Sequence, residues 1–278
     1  MSDIHGGAWI GGYPEHTARW CSYLASRTGA VVVSISYRFA PLHAYPAAHD
    51  DVDDIVTYLI HHAPNLGADS ALLTFSGSSA GGNMALSASQ FLHSRAYLSS
   101  RDDERAKISR GYVGFCPVLN LRLKPEEKPK PPSFPSRDPL SWMMPLYDSY
   151  AGPTRERDWN DTRLNTLVAE RSKLPKDMLF VMAGIDILAH EQLFFVERLK
   201  GEPEVGGDLE GSVEARVWDK GFHGWLECKW TDEFPIYHPD KTAVPKCVLE
   251  KERMEAFDMA VDFIRRVHRK HGFEISEY

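Results

Sequence analysis

The sequence predicts an α/β fold built on a mostly parallel sheet with helices on both faces. Short runs rich in Val, Ile, Leu and Phe recur along the chain without polar alternation, as strands covered on both faces require. Between them lie longer segments with apolar residues at helical spacing, the rhythm of βα units. With 278 residues and 43% hydrophobic content the chain can bury a large core, so one domain over residues 1–278 is expected.

The chain opens "MSDIHGGAWIGG", a glycine-rich loop whose supporting strand is confined to Ser2, Asp3 and Ile4. Further strands are expected at Ala30 to Tyr37, Ala71 to Ser76, Tyr112 to Val118, Met178 to Ala183 and Val213 to Trp218. The spacing of Ala48, Val52, Ile55 and Leu59 predicts a helix over Ala47 to His61, with Asp50, Asp51, Asp53 and Asp54 in its first turns, where acidic groups favour the helix dipole. Ala80 to Leu92 and Ile187 to Leu199 read as crossover helices. Glu250 to His268 reads as a long amphipathic helix carrying Met254, Phe257, Ala260, Val261 and Ile264 on one face, closing the fold.

Two stretches break this rhythm: the proline-rich Lys124 to Pro139 and the Gly- and acid-rich Glu202 to Gly211, both expected as surface connections. The first begins an insertion at about residues 121–176 that also holds "PLSWMMPLYDSYAG". That aromatic and Met-rich patch is either a lid over a pocket or ordinary packing under a loop.

Composition bounds the partners. A formal charge of −7, with no basic cluster interleaved with aromatics, gives no footprint for nucleic acid or an anionic membrane. The apolar runs are too short to span a bilayer and no charged segment precedes a signal-like apolar one, so a cytoplasmic protein is expected. Cys21, Cys116, Cys228 and Cys247 form no C-x-x-C pair, which argues against a zinc site and a dense disulfide framework.

The chemistry concentrates in "TFSGSSAGGNMAL", where Gly77-Ser78-Ser79-Ala80-Gly81 matches G-x-S-x-G between an expected strand and an expected helix. A nucleophile there sits on a sharp strained turn, and flanking glycines let neighbouring backbone approach. A serine hydroxyl needs a base at neutral pH, and the base needs an orienting acid. Both follow in chain order: Asp186 in "FVMAGIDILAHE" and His223 in "VWDKGFHGWLE", each beyond an expected strand. Asp186 has a second reading as a helix N-cap, and His223 as a loop residue; their joint order favours the triad. His190 and Glu191 are runners-up. Acyl transfer also needs donors aimed at a tetrahedral oxyanion, and the N–H groups of Gly6, Gly7 and Ala80 are the candidates. His5 reads as a structural hydrogen-bonding residue. Trp9, Tyr37, Trp142, Met143, Tyr147 and Trp225 line an apolar pocket or fill core.

On "HGGAW" at His5 to Trp9, "YRFAP" with "YPAAHDD" at Tyr37 to Asp51, "GSSAGGN" at Gly77 to Asn83, "AGIDILAHE" at Ala183 to Glu191 and "GFHGW" at Gly221 to Trp225, the chain resembles the hormone-sensitive-lipase-like branch of the α/β-hydrolase superfamily. The resemblance implies an α/β-hydrolase fold with nucleophile Ser79, acid Asp186, base His223 and an oxyanion hole from Gly6, Gly7 and Ala80. It departs at Ser78 and Leu42, where the family usually has Asp and Glu, and in the first strands and N-terminal cap, which the family carries before the His-Gly-Gly loop. A serine hydrolase of small or medium hydrophobic carboxylic esters is therefore expected, with no metal or organic cofactor. Lactone, amide or formamide hydrolysis and a tailoring step on a natural product are alternatives within the enzyme class. A non-catalytic small-molecule binder or a truncated inactive homologue is the alternative outside it. A homodimer formed through an exposed sheet edge is a further expectation.

Overall fold

The computed structural model describes residues 1–94, 109–132, 134, 148–202, 211–228 and 246–273. Their framework is one six-stranded sheet in which every pairing is parallel: β1 (Ser2–Ile4), β2 (Val33–Ile35), β3 (Thr74–Ser78), β4 (Gly111–Phe115), β5 (Asp177–Ile185) and β6 (Val213–Phe222), in the spatial order β2-β1-β3-β4-β5-β6. The helices are α1 (Ala18–Thr28), α2 (Ala47–His62), α3 (Ala80–Ser94), α4 (Ala189–Gly201) and α5 (Lys246–Lys270). Among the described residues, no helix is long and apolar enough to cross a membrane.

The uninterrupted apolar runs have a simple origin: each central strand feeds two cores. Along β5, Met178, Phe180 and Met182 enter the core shared with α2, α3 and α4, while Leu179, Val181 and Ala183 enter the one shared with α1 and α5. Side chains alternate across a strand, so burial on both faces removes polar alternation. On α5, Phe257, Ala260, Val261 and Ile264 form the buried stripe the spacing predicted, with Met254 at its margin.

Several boundaries differ from expectation. β2 holds only Val33–Ile35 of the Ala30 to Tyr37 run, because its partner β1 offers three residues, registered from Ser2↔Val33 to Ile4↔Ile35. Ala71 and Leu72 lie in a 3-10 turn capped by Asp69, whose Oδ1 accepts the Ala71 N–H at 2.8 Å, so β3 starts at Thr74 and continues to Ser78. β4 stops at Phe115 because Cys116 turns to φ 46°. β6 runs on to Phe222, paired with Ile185 across a bulge. Helix α1 was not expected at all; it buries only Trp20, Leu24 and Thr28 among polar neighbours.

The proline-rich connection is not wholly superficial, since Lys128 is buried. Of "PLSWMMPLYDSYAG", Trp142, Met143 and Tyr147 lie outside the described residues, whereas Tyr150 and Ala151 are fully buried in the core. Residues 203–210 of the acid-rich connection also lie outside.

Candidate active site

Four strands deliver the candidate residues in the same way. Ile4, Ser78, Ile185 and Phe222 each end a strand, and the next residues are His5, Ser79, Asp186 and His223. Parallel strands bring all four to the carboxyl edge of the sheet, where open α/β folds place ligands.

Ser79 occupies the turn between β3 and α3 with φ 53°, a left-handed conformation that a residue with a Cβ rarely adopts. The turn is over-determined. The Ser79 N–H donates to the Phe115 carbonyl at 2.9 Å, and its carbonyl accepts from the N–H of Val118 at 3.1 Å and of Asn83 at 3.2 Å. Close approach by backbone explains Gly81: a Cβ there would stand 2.0 Å from the Ile4 carbonyl oxygen and 2.5 Å from that of His5. Glycine thus lets α3 press against the end of β1.

The structure brings Ser79, Asp186 and His223 together. His223 Nδ1 lies 2.8 Å from Asp186 Oδ2, and its Nε2 lies 2.9 Å from Ser79 Oγ. A carboxylate can only accept, so Nδ1 carries the proton and Nε2 is left to accept from the serine hydroxyl. Asp186 is 1% exposed, and its other oxygen accepts the Leu188 N–H at 2.9 Å. Asp186 is not the N-cap of α4, a position held by Leu188; its carboxylate accepts the Leu188 N–H in the turn before the helix and meets the imidazole with its other oxygen. Burial alone would lower the His223 imidazole, but the charge of Asp186 and its hydrogen bond outweigh that, so the group titrates above the ordinary histidine value.

The glycine-rich loop lies against this turn. A Cβ on Gly6 would be 3.2 Å from the Ser78 carbonyl oxygen and 3.3 Å from Ser79 Cβ. Gly7 adopts φ 132°, and a Cβ there would fall 2.0 Å from the Gly11 carbonyl oxygen. Ala80 opens α3, so its N–H stands at the positive end of the helix dipole. The loop is braced from behind by His5, which is buried: Nδ1 is 2.7 Å from the Gly6 carbonyl, Nε2 is 3.1 Å from Ser36 Oγ, and the ring stacks on Tyr37 at 4.7 Å. Burial pushes its imidazole below the ordinary value. Trp9 is buried and stacks on Tyr150 at 5.0 Å, Tyr37 donates to the His5 carbonyl at 3.2 Å, and Trp225 is fully buried. Of the two readings of these three aromatics, core is the one the packing supports.

His190 is exposed on α4, and Glu191 is buried with its carboxylate engaged outside the Ser79–His223–Asp186 hydrogen-bonded line. Glu191 accepts from Lys128 Nζ at 2.5 Å and from the N–H of Leu119 at 2.8 Å and Asn120 at 3.2 Å, fixing the segment that follows β4. Asn83 was not singled out from sequence. Its amide donates to the Val118 and Leu164 carbonyls at 2.9 and 3.1 Å, and its Oδ1 meets His49 Nε2 at 3.0 Å, tying α3 to α2 and to the segment around residue 164. Its place one turn after the nucleophile was the available signal. Lys128 gave none, being one charge among many in a proline-rich run.

Comparison with known proteins agrees with the architecture. Lipase 2 from Moraxella sp. (strain TA144) is 27% identical over 219 residues, which is 73% of this chain and 50% of that protein. An esterase from Gibberella moniliformis is 26% identical over 206 residues, 71% of this chain and 59% of that protein. The chain thus spans about half the length of the curated relatives it matches. Among solved structures, carboxyl esterase 2 from the fungus Tuber melanosporum superposes with a TM-score of 0.69 at 19% identity, covering 96% of this chain and 78% of that one. The thermostable carboxylesterase EstE1, cloned from a metagenomic library, gives 0.69 at 23% identity over 96% and 79%. A family model described as alpha/beta hydrolase fold matches residues 1–227, and the chain belongs to that family.

Proposed function

We propose that this protein hydrolyses carboxylic esters through a serine acyl-enzyme. The reading rests on one observation, the continuous hydrogen-bonded line Ser79–His223–Asp186 at 2.9 and 2.8 Å. Ser79 Oγ attacks the ester carbonyl while His223 Nε2 takes its proton, and Asp186 holds the resulting imidazolium. His223 then returns the proton to the leaving alkoxide. Water, deprotonated by the same imidazole, attacks the acyl-enzyme and releases the acid. Gly6, Gly7 and Ala80 are the donors for the oxyanion, each such N–H contributing about 3 kcal/mol of transition-state stabilisation. The similarity to a lipase, an esterase and, at 27% identity, an arylesterase from Saccharolobus solfataricus supports esters as the substrate class.

The test is turnover of p-nitrophenyl acetate and longer acyl esters by the wild type beside Ser79→Ala, with thermal melts of both. Turnover and fluorophosphonate labelling are expected only with Ser79 present. A folded wild type that neither turns over above Ser79→Ala nor takes the label would refute the reading.

A further inference from the structure

We infer that Arg253, a buried side chain on α5, is a positioning residue for His223: its guanidinium clamps the turn that carries the imidazole. The inference rests on the proposed triad. Of the triad members, His223 has the weakest local support. Ser79 is held between β3 and α3, and Asp186 continues the central strand β5 into α4. His223 leaves β6, the outermost strand among the described residues, on a short turn with the bonds Trp225 N–H to Phe222 O at 3.0 Å, Glu227 N–H to Gly224 O at 3.2 Å and Cys228 N–H to Gly224 O at 3.1 Å. Gly224 within that turn adopts φ 80°.

The turn is secured from the opposite side. Arg253 is 3% exposed, and its Nη2 donates to the carbonyls of Trp225 at 3.0 Å and Cys228 at 2.7 Å. One nitrogen bridging carbonyls three residues apart fixes the pitch of the turn, and the planar fork fixes its orientation relative to α5. The fork is itself held: Nη1 donates to Glu250 Oε2 at 2.9 Å, and Glu250 is also paired with Arg19 of α1. Burying a guanidinium is unfavourable unless its hydrogen bonds are made. Here two of them converge on the carbonyls of Trp225 and Cys228, two and five residues after the candidate general base. Trp225, the nearer of these to His223, is fully buried in the core beneath α5, so the clamp and the indole anchor the same turn.

A displacement of about 1 Å at a reacting group lowers turnover by about 10²-fold. Arg253→Met removes both carbonyl bonds at similar length, and Arg253→Lys keeps the charge on one nitrogen at the end of a flexible stem, without the planar fork. The expected result is a fall in kcat of about 10²-fold for Arg253→Met, a smaller fall for Arg253→Lys, KM for p-nitrophenyl acetate within about threefold, and slower fluorophosphonate labelling of Ser79. A second readout needs no turnover. The downfield Nδ1–H proton signal of His223, identified by its loss in His223→Ala, should broaden or vanish in Arg253→Met while the melt stays cooperative. If Arg253→Met fails to fold, Arg253→Lys carries both readouts. Wild-type kcat together with an unchanged imidazole signal in a folded variant overturns the inference. A wild type with no turnover above Ser79→Ala refutes the esterase reading instead, and Arg253 is then judged by the proton signal alone.

Discussion

At the scale of single residues, the balance on His223 fixes a pH dependence. Its imidazole titrates above the ordinary value, about 6.5, because Asp186 outweighs burial. General-base catalysis needs the neutral ring, so kcat/KM should rise with pH through a midpoint above 6.5, read from a pH-rate profile between about 5 and 9. Asp186→Asn keeps the shape but can donate where the carboxylate only accepts, favouring the wrong imidazole tautomer. Loss of kcat by about 10⁴-fold is expected, with the acid limb moving to lower pH. An unchanged limb would show that some other group titrates. Ser79, Asp186 and His223 were legible in the sequence because each follows a recognisable apolar strand. Arg253 was not, since nothing along the chain links an arginine on an amphipathic helix to carbonyls 25 and 28 residues earlier.

At the scale of elements, the short strand β1 carries the candidate oxyanion loop, and its support is mostly tertiary. Three residues pair with β2 on one side and β3 on the other, and all three are buried. Asp3 accepts hydrogen bonds from Ser76 of β3, from Thr17 at 2.6 Å and from Cys21 of α1 at 3.3 Å. The approach of α3 completes the support, and Gly81 permits it. In Gly81→Ala the Cβ meets the backbone of Ile4 and His5, which cannot rotate away, so β1 and α3 must separate. Overpacking of this kind destabilises by about 1–3 kcal/mol, visible as a lower urea midpoint, and it moves Gly6 and Gly7 away from Ser79, lowering kcat. Gly201→Ala, where a Cβ meets nothing within 4 Å, is the control and should leave both nearly unchanged. Equal effects from the two substitutions would contradict the packing argument. Sequence reading found most elements but misjudged lengths set by partners. β2 stops where β1 ends, and α1 was overlooked although Trp20, Leu24 and Thr28 recur at four-residue spacing and mark one buried face.

At the scale of the whole molecule, buried imidazoles couple the packing of the layers to pH. His49 of α2 joins Asn83 of α3 to Tyr150, and burial lowers it to about 3. His268 of α5 meets Thr74 Oγ1 of β3 at 3.0 Å, and burial lowers it to about 4. Neither partnership could be read from sequence, because each joins residues on separate elements. In the unfolded chain both rings titrate near the ordinary histidine value of about 6.5. Between that value and the folded ones the unfolded state binds more protons, so stability falls as pH drops, by up to about 1.4 kcal/mol per pH unit for each ring. His223 acts with the opposite sign: its raised folded value gives stability that is complete below about 6.5 and is lost as pH rises through the folded value. The urea midpoint should therefore decline from pH 6.5 to 4.5. His268→Gln, which keeps a polar group toward Thr74 but does not titrate, should be less stable than wild type at pH 7 and decline less steeply below 6.5. Parallel declines in the two proteins would mean that carboxylate protonation, and not the charging of His268, governs the acid side of the stability curve.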